Sequence, residues 1–215
     1  MARQSLPVLM NIESSSANIN GLKLSVASAT KEGEQVCGDT YFIKGGEDRV
    51  LLAVIDGLGH GNKAAEASKK AVELLEDFEG ESIINLIKHC HNGLKKTRGV
   101  VMSLAQINFY EETITWVGVG NVDGSLIFAN DEDRPKIEHF VLRGGIVGYK
   151  LPLLQATITP ISPGDLLICS TDGVKVNYLG KIDMNDDPDK IVEDISSNYF
   201  KRSDDALILV AKYLG

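Results

Sequence analysis

Several things are missing from this 215-residue chain, and each absence narrows what it does. No run of about 18 apolar residues occurs, so no transmembrane helix is expected. Near the start the longest apolar piece is "LPVLM", too short for the core of a secretory leader, and none is expected. No basic cluster is long enough to follow a phosphate backbone, and the formal net charge is −8, which argues against nucleic acid as a partner. The three cysteines, Cys37, Cys90 and Cys169, are odd in number and widely spaced. They form no disulfide framework and read as free thiols in a reducing cytoplasm. No internal repeat, low-complexity linker or second domain is visible. What is present is ordinary for a globular protein: 43% apolar and 24% charged residues, with a modest excess of glycine, 21 in all. One domain over 1–215 is expected, with its core at about 22–212 and residues 1–20 an edge or poorly ordered segment.

The hydrophobic pattern changes period along the chain. "LKLSVASA" (22–29) alternates as a half-buried strand does. "TYFIK" (40–44) and "RVLLAVI" (49–55) flank "GGED", a hairpin turn signal. Asn62 is placed to cap a helix on which Ala64, Ala67, Ala71, Leu75 and Phe78 share helical spacing. A second helix is expected from Ser82 to about Thr97, with Ile83, Ile87, Cys90 and Leu94 inward. From residue 100 strands follow one another: "VVMSLAQINFY", "TITWVGVG", "GSLIFAN", "IEHFVL", "QATITPI" and "GDLLICST". "NVDG" (121–124) suits a tight hairpin turn. Asp187 before Pro188 starts a last helix, which leads into the strand "ALILVAKYL". Long runs of consecutive strands imply antiparallel pairing and an α+β class. About ten strands exceed one comfortable open sheet, so two packed sheets with helices outside are expected.

The aspartates fall at strand ends. Asp39 and Asp56 lie on either side of the "GGED" turn, at the outer ends of its two strands, so a simple hairpin register sets them side by side. Asp172 follows the strand "DLLICST", and Asp204 and Asp205 precede the strand "ALILVA". If those two strands are antiparallel neighbours, their acids share an edge as well. Joining the two edges makes a cluster of four or five carboxylates at the mouth of a sheet sandwich. Crowded carboxylates repel at neutral pH unless a cation holds them. Oxygen-only ligands favour Mg²⁺ or Mn²⁺. A divalent pair of that kind would be bridged by one aspartate and one hydroxide, a nucleophile suited to in-line attack on a phosphoryl group. Gly57 and Gly173 each follow one of these aspartates and permit close backbone approach.

Other readings of "DGLGHGNK" (56–63) fail. The phosphate-loop pattern needs Gly-Lys followed by Ser or Thr, whereas here Asn62 precedes Lys63 and Ala64 follows it. A dinucleotide fingerprint that starts at Gly57 and Gly59 meets Asn62 at its third glycine. Cys90 and Arg98 stand at the wrong interval for a thiolate–phosphate loop.

In their order, "CGDTYF", "VIDGLGHG", "VGVGNV", "ICSTDGV" and "SDDALILV" resemble the PPM class of metal-dependent serine/threonine phosphatases, above all the bacterial branch that acts on regulators of sigma factors. The resemblance covers roughly residues 22 to 212. It implies a four-layer αββα sandwich, two antiparallel sheets flanked by helices, with a two-metal Mn²⁺ or Mg²⁺ site between the sheets. It implies that Asp56 bridges both ions, that the Gly57 carbonyl binds one, and that Asp172 binds the other. Asp204 aligns with the usual last ligand, in preference to Asp205. Asp39 and Asp56 would serve both as metal ligands and in catalysis, Asp39 by orienting metal-bound water. The implied substrates are phosphorylated stressosome scaffold proteins, reset after a stress signal by a cytoplasmic enzyme, expected as a monomer. Two features depart from the family. Animal and plant relatives carry a histidine directly after Asp-Gly, where this chain has Leu58 and then His60. No arginine stands just before Asp39 to clasp phosphate, and Lys31 is the nearest cation upstream.

Blander readings stand beside these. His60 serves either as a catalytic group or as a hydrogen-bonding residue at a helix start. His89, Cys90 and His91 look like a metal trio, but residues two apart on a helix do not face the same way. "DMNDDPD" (183–189) has calcium-loop acids with Pro188 where glycine is required, and reads as a solvated loop that caps a helix. Trp116 reads as core, and "GVGN" (118–121) as a strand-end turn near the site. Two other function classes remain: a phosphatase-like module that docks on phosphoproteins without turnover, and a calcium-stabilised structural domain.

Overall fold

Residues 12–79, 82–129 and 136–215 are described by a computed structural model. The long apolar runs become strands buried on both faces. In β4 (Arg49–Gly57), Val50, Leu52 and Val54 point into one core, while Ala53 and Ile55 point into another. This is the two-residue period of a strand covered on both sides. The last strand of the chain repeats the arrangement: Leu207 and Leu209 join the first core, Ile208 and Val210 a third.

The remaining strands are β1 (Ile12–Ile19), β2 (Leu22–Ala29), β3 (Asp39–Gly45), β5 (Val100–Asn108), β6 (Thr113–Val119), β7 (Asp123–Ile127), β8 (Ile137–His139), β9 (Leu142–Arg143), β10 (Thr157–Pro160), β11 (Leu166–Ser170) and β12 (Ala206–Tyr213). One sheet has the order β1-β2-β12-β11-β7-β8. The other has β10-β6-β5-β4-β3, with β9 beside β6. Every pairing is antiparallel except β6 with β9. The inner faces of the two sheets meet across a core that includes Leu24, Leu52, Trp116 and Leu209. Helices α1 (Asn62–Glu76) and α2 (Ile83–Gly93) cover the β4/β5 sheet through Ala67, Ala71, Leu75 and Ile87. Helix α3 (Pro188–Tyr199) covers the other through Ile191, Val192 and Ile195. The layers are therefore αββα, and the class is α+β.

Residues 12–19, expected as an edge or poorly ordered segment, form the edge strand β1, exposed along nearly its whole length, while residues 1–11 lie outside the described residues. Other local expectations need correction. Asn62 is the first residue of α1 and not its cap; the cap position is Gly61, whose positive φ (69°) turns the chain into the helix. "NVDG" is not a hairpin turn, because β6 and β7 belong to different sheets. The chain crosses between layers at Gly120 (φ 99°), and Asp123 and Gly124 open β7. "IEHFVL" is likewise two strands, β8 in one sheet and β9 in the other. Both crossings wrap Trp116. Phe140 stacks on its ring at 4.7 Å, and Gly124 lies against its edge. Trp116 is core, as read. In the 183–189 loop, Asp187 accepts from Asp189 N at 3.1 Å as the cap of α3, and Asp186 pairs with Lys190.

The Trp116 contact is testable. A Cβ on Gly124 would lie 2.1 Å from Trp116 Cη2. Gly124→Ala should cost about 1–3 kcal/mol by overpacking. Thermal unfolding followed by the emission of the single tryptophan would read this, and an unchanged midpoint would refute the tight crossing.

Candidate metal centre

The hairpin register is set at its turn, where Gly46 N donates to Arg49 O at 2.8 Å. Counting back from there pairs Gly45 with Val50 and, at the far end, Asp39 with Asp56. In the other sheet β11 and β12 run antiparallel with Ser170 opposite Ile208, so Asp172 and the Asp204–Asp205 pair leave at one end. Both ends open on the same cavity, of about 250 Å³. Its wall includes Asp39, Asp56, Asp172, Asp204 and Asp205, together with Lys31, Gly59, His60 and Asn121. A larger cavity, about 450 Å³, lies at the opposite end of the hairpin and is lined by Phe78 and Leu86 among others; its acids Glu47, Asp48 and Glu79 are accompanied by the cations Lys44 and Arg49.

Close backbone packing holds the strand ends. Gly57 N donates to Gly38 O at 3.1 Å, and Ser68 Oγ of α1 donates to the same carbonyl. A Cβ on Gly57 would lie 2.2 Å from Ala64 O, so α1 sits directly on the end of β4. A Cβ on Gly173 would lie 1.8 Å from Asp205 O. Gly57 is buried under α1 and is not part of the cavity wall, unlike the other expected site residues. Asp204 and Asp205 differ in how their oxygens are used. Asp205 is buried and accepts from Lys31 N at 2.8 Å and Gly38 N at 2.9 Å, one bond to each oxygen. It ties the 30–38 loop to β12. Among the described residues Asp204 accepts only a local bond from Asp205 N, at 3.1 Å.

Three participants escaped the sequence reading in whole or part. Asn121 Nδ2 donates to Asp172 Oδ2 at 2.7 Å, and its only signal was "GVGN" close to the site. Glu34 Oε1 lies 2.6 Å from His60 Nδ1. Lys201 Nζ donates to the Asp172 carbonyl. Nothing in the local sequence marks Glu34 or Lys201. The His89-Cys90-His91 run is no site: His89 packs on Phe78, Cys90 is buried, and His91 Nδ1 accepts from Gly148 N at 3.0 Å.

The electrostatics are those of acids short of counter-charge. Burial, and then repulsion from Asp56, hold the Asp39 carboxyl well above the usual range. Burial, followed by Asp172 and the other acids, pushes Asp56 up to about 7. Burial and Asp204 raise Asp172. Asp39 Oδ2 is buried without any hydrogen-bond partner. The acids line a wall and do not close on one point: among the described residues no three His, Cys, Asp or Glu side chains converge as a preformed shell. An all-oxygen donor set with an orphaned carboxylate oxygen and mutual repulsion fits Mg²⁺ or Mn²⁺. Asp39, Asp56, Asp172 and Asp204 are the residues with oxygens to offer.

The family model described as Stage II sporulation protein E (SpoIIE) matches residues 46–214. Phosphoserine phosphatase RsbX of Bacillus subtilis (strain 168) is 37% identical over 97 residues, which span 45% of this chain and 49% of that protein. The match thus covers about half the length of the curated relative. Among solved structures, a chain from the bacterial stressosome, a modular system adapted to control secondary messenger signalling, superposes with a TM-score of 0.82 and 28% identity. That match covers 90% of this chain and 100% of the other. RsbX in complex with magnesium gives 0.83 and 24% identity over 93% and 99%. The catalytic domain of the phosphatase PstP with two manganese ions gives 0.63 and 13% over 90% and 99%. These last two likenesses speak for the fold.

A carboxyl whose folded pKa is raised favours the folded state below its unfolded pKa, and that advantage is lost as pH rises through the folded value. Metal-free protein should therefore lose stability between about pH 4 and about pH 7 through Asp56. Asp56→Asn removes this loss, so the metal-free variant should exceed wild type at pH 8 by on the order of 4 kcal/mol, and by little at pH 4. Melting curves at both pH values check this; parallel pH dependence of the two proteins would refute it.

Proposed function

The chain belongs to the Stage II sporulation protein E (SpoIIE) family of PP2C-type phosphatase domains, and from that premise we propose that it is a Mn²⁺- or Mg²⁺-dependent phosphoserine/phosphothreonine protein phosphatase. The observation that carries the reading is the meeting of Asp39, Asp56, Asp172 and Asp204, from strand ends of both sheets, in one cavity. Its substrates are phosphorylated stressosome regulators in the cytoplasm, on the strength of the likeness to RsbX and to the stressosome chain. The unit that acts is one domain, monomeric. Among the described residues no helix is long and apolar enough to cross a membrane.

When bound, divalent ions supply Lewis-acid activation of water and neutralise charge on the phosphoryl oxygens. The chain supplies the rest. Asp39, Asp56, Asp172 and Asp204 would hold the ions, and Asp39 would orient the attacking water. Asn121 fixes one oxygen of Asp172 and leaves the other for the site. Among the described residues no serine, threonine or cysteine lines the cavity, so no hydroxyl or thiol is offered there to take the phosphoryl group. The thiol nearest in sequence, Cys37, is pushed far up by burial and by Asp39. In this reading the acids are taken up as cation ligands and His60 as the acid, water is the nucleophile, and no phospho-enzyme forms. His60 protonates the departing serine or threonine oxygen. Glu34 positions it: with Nδ1 donating to the carboxylate, the ring exchanges its proton at Nε2.

Hydrolysis of p-nitrophenyl phosphate should need Mn²⁺ or Mg²⁺ and stop with chelator. Asp56→Asn should cost at least about 10²–10³-fold, the scale of one lost electrostatic stabiliser. A folded protein that binds phosphopeptide without any turnover would be a docking module instead, and stabilisation by Ca²⁺ alone would mark a structural domain. His60→Ala should slow a phosphoserine peptide by about 10²-fold, the contribution of a general acid. It should affect p-nitrophenyl phosphate far less, because nitrophenolate leaves without protonation. Equal losses on the two substrates would remove the acid role.

A further inference from the structure

Arg98 lies on the loop between α2 and β5, and its backbone is held from both sides. Thr97 N and Oγ1 donate to Leu94 O at 2.9 and 2.8 Å. Gly99 N donates to Thr97 Oγ1 at 3.0 Å, and Gly99 O accepts from Leu58 N at 3.2 Å. The guanidinium extends over Gly59: a Cβ on Gly59 would lie 2.7 Å from Arg98 Nη1. Gly59 itself lines the acid cavity. Among the described residues the ion pairs are Lys23–Asp187, His60–Glu34, Lys70–Glu73 and Lys190–Asp186, and Arg98 is in none of them.

We infer that Arg98 binds the phosphoryl group of the substrate at the rim of the cavity, above Gly59. The inference rests on the phosphatase reading for the identity of the substrate, and on this geometry for the residue. Charge makes the first argument. Five carboxylates outnumber the one lysine of the cavity wall by four, which is the charge two divalent ions carry, and the charge of a protonated His60 is offset by Glu34. An arriving phosphate dianion needs cations beyond that balance. Lys201 is committed to the Asp172 carbonyl, whereas Arg98 has no acidic partner among the described residues. Shape makes the second. A planar guanidinium presents paired donors to two phosphoryl oxygens, which an ammonium does not. The third argument is Gly59. Its positive φ (92°) favours glycine, and its bare α-carbon leaves the space that the guanidinium fills. The arginine missing just before Asp39 is thus replaced from a different loop.

The test is calorimetric titration of Mg²⁺-loaded protein with inorganic phosphate, on wild type, Arg98→Ala, Arg98→Lys and Lys31→Ala. The expected result is wild-type binding, a loss on the order of 10- to 100-fold in Arg98→Ala, as for a charged hydrogen bond, and partial recovery in Arg98→Lys. The Mg²⁺-induced rise in melting temperature should be unchanged in Arg98→Ala. Equal phosphate affinity in Arg98→Ala, no phosphate binding by wild type, or a lost Mg²⁺ response in Arg98→Ala would each overturn the inference, as would a loss confined to Lys31→Ala. Arg98-dependent phosphate binding by a protein that does not hydrolyse p-nitrophenyl phosphate or a phosphoserine peptide would sink the phosphatase reading and leave the phosphate site standing.

Discussion

Repulsion among buried carboxylates is the constraint on which the rest of this structure depends. Acids of this kind are stable together only if a cation or a proton neutralises them. Asp39 feels this most: it is buried, faces Asp56 across the hairpin, and has one oxygen with no partner. The cost has to be met by the surrounding fold. The two sheets meet it with strands apolar on both faces, each contributing to two cores at once. The acids sit where those strands stop, so the site does not interrupt the core.

The backbone around the acids is packed too closely to yield. Gly57 lies beneath the α1 carbonyl of Ala64, and Gly173 lies against the Asp205 carbonyl. Asp205 binds two backbone N–H groups of the 30–38 loop with its two oxygens. An acid that at first sight belongs to the ligand cluster is thereby the tie that brings Asp39, at the end of that loop, to the strand that follows Asp204. Adjacent aspartates do different work because one is turned toward backbone donors and the other toward the cavity.

Much of this was legible in the sequence. A hairpin with a short turn has few registers, so a turn near "GGED" brings Asp39 and Asp56 to one edge; the turn falls at Gly46–Arg49, one residue later than "GGED", and that register sets the two acids opposite each other. The apolar runs that end in Asp172 and begin after Asp205 pair as neighbours by the same logic. The layer changes were not legible. At 120–124 and 137–143 the chain passes from one sheet to the other, and "NVDG" has the composition of a hairpin turn whether the next strand lies beside the last or across the core. What decides is Trp116, which fills the gap between the layers and needs Gly124 and Phe140 against its ring. Glu34, Arg98 and Lys201 were invisible for another reason. Each reaches the site from a loop, and loop side chains carry no periodicity.

The site is thus a property of the assembled sandwich and of no single element. Asp39 and Asp56 come from one sheet, Asp172 and Asp204 from the other, and the apolar core between the sheets sets their separation. A fragment with one sheet would hold half of the acids and little reason to bind a cation. Any ion that binds the four acids together binds only the folded state, and its binding free energy adds to folding stability in proportion to the logarithm of its concentration. The repulsion that burdens the metal-free protein and the affinity that draws the ion are one quantity seen from two sides. A site that cost the fold nothing when empty would also gain little when filled.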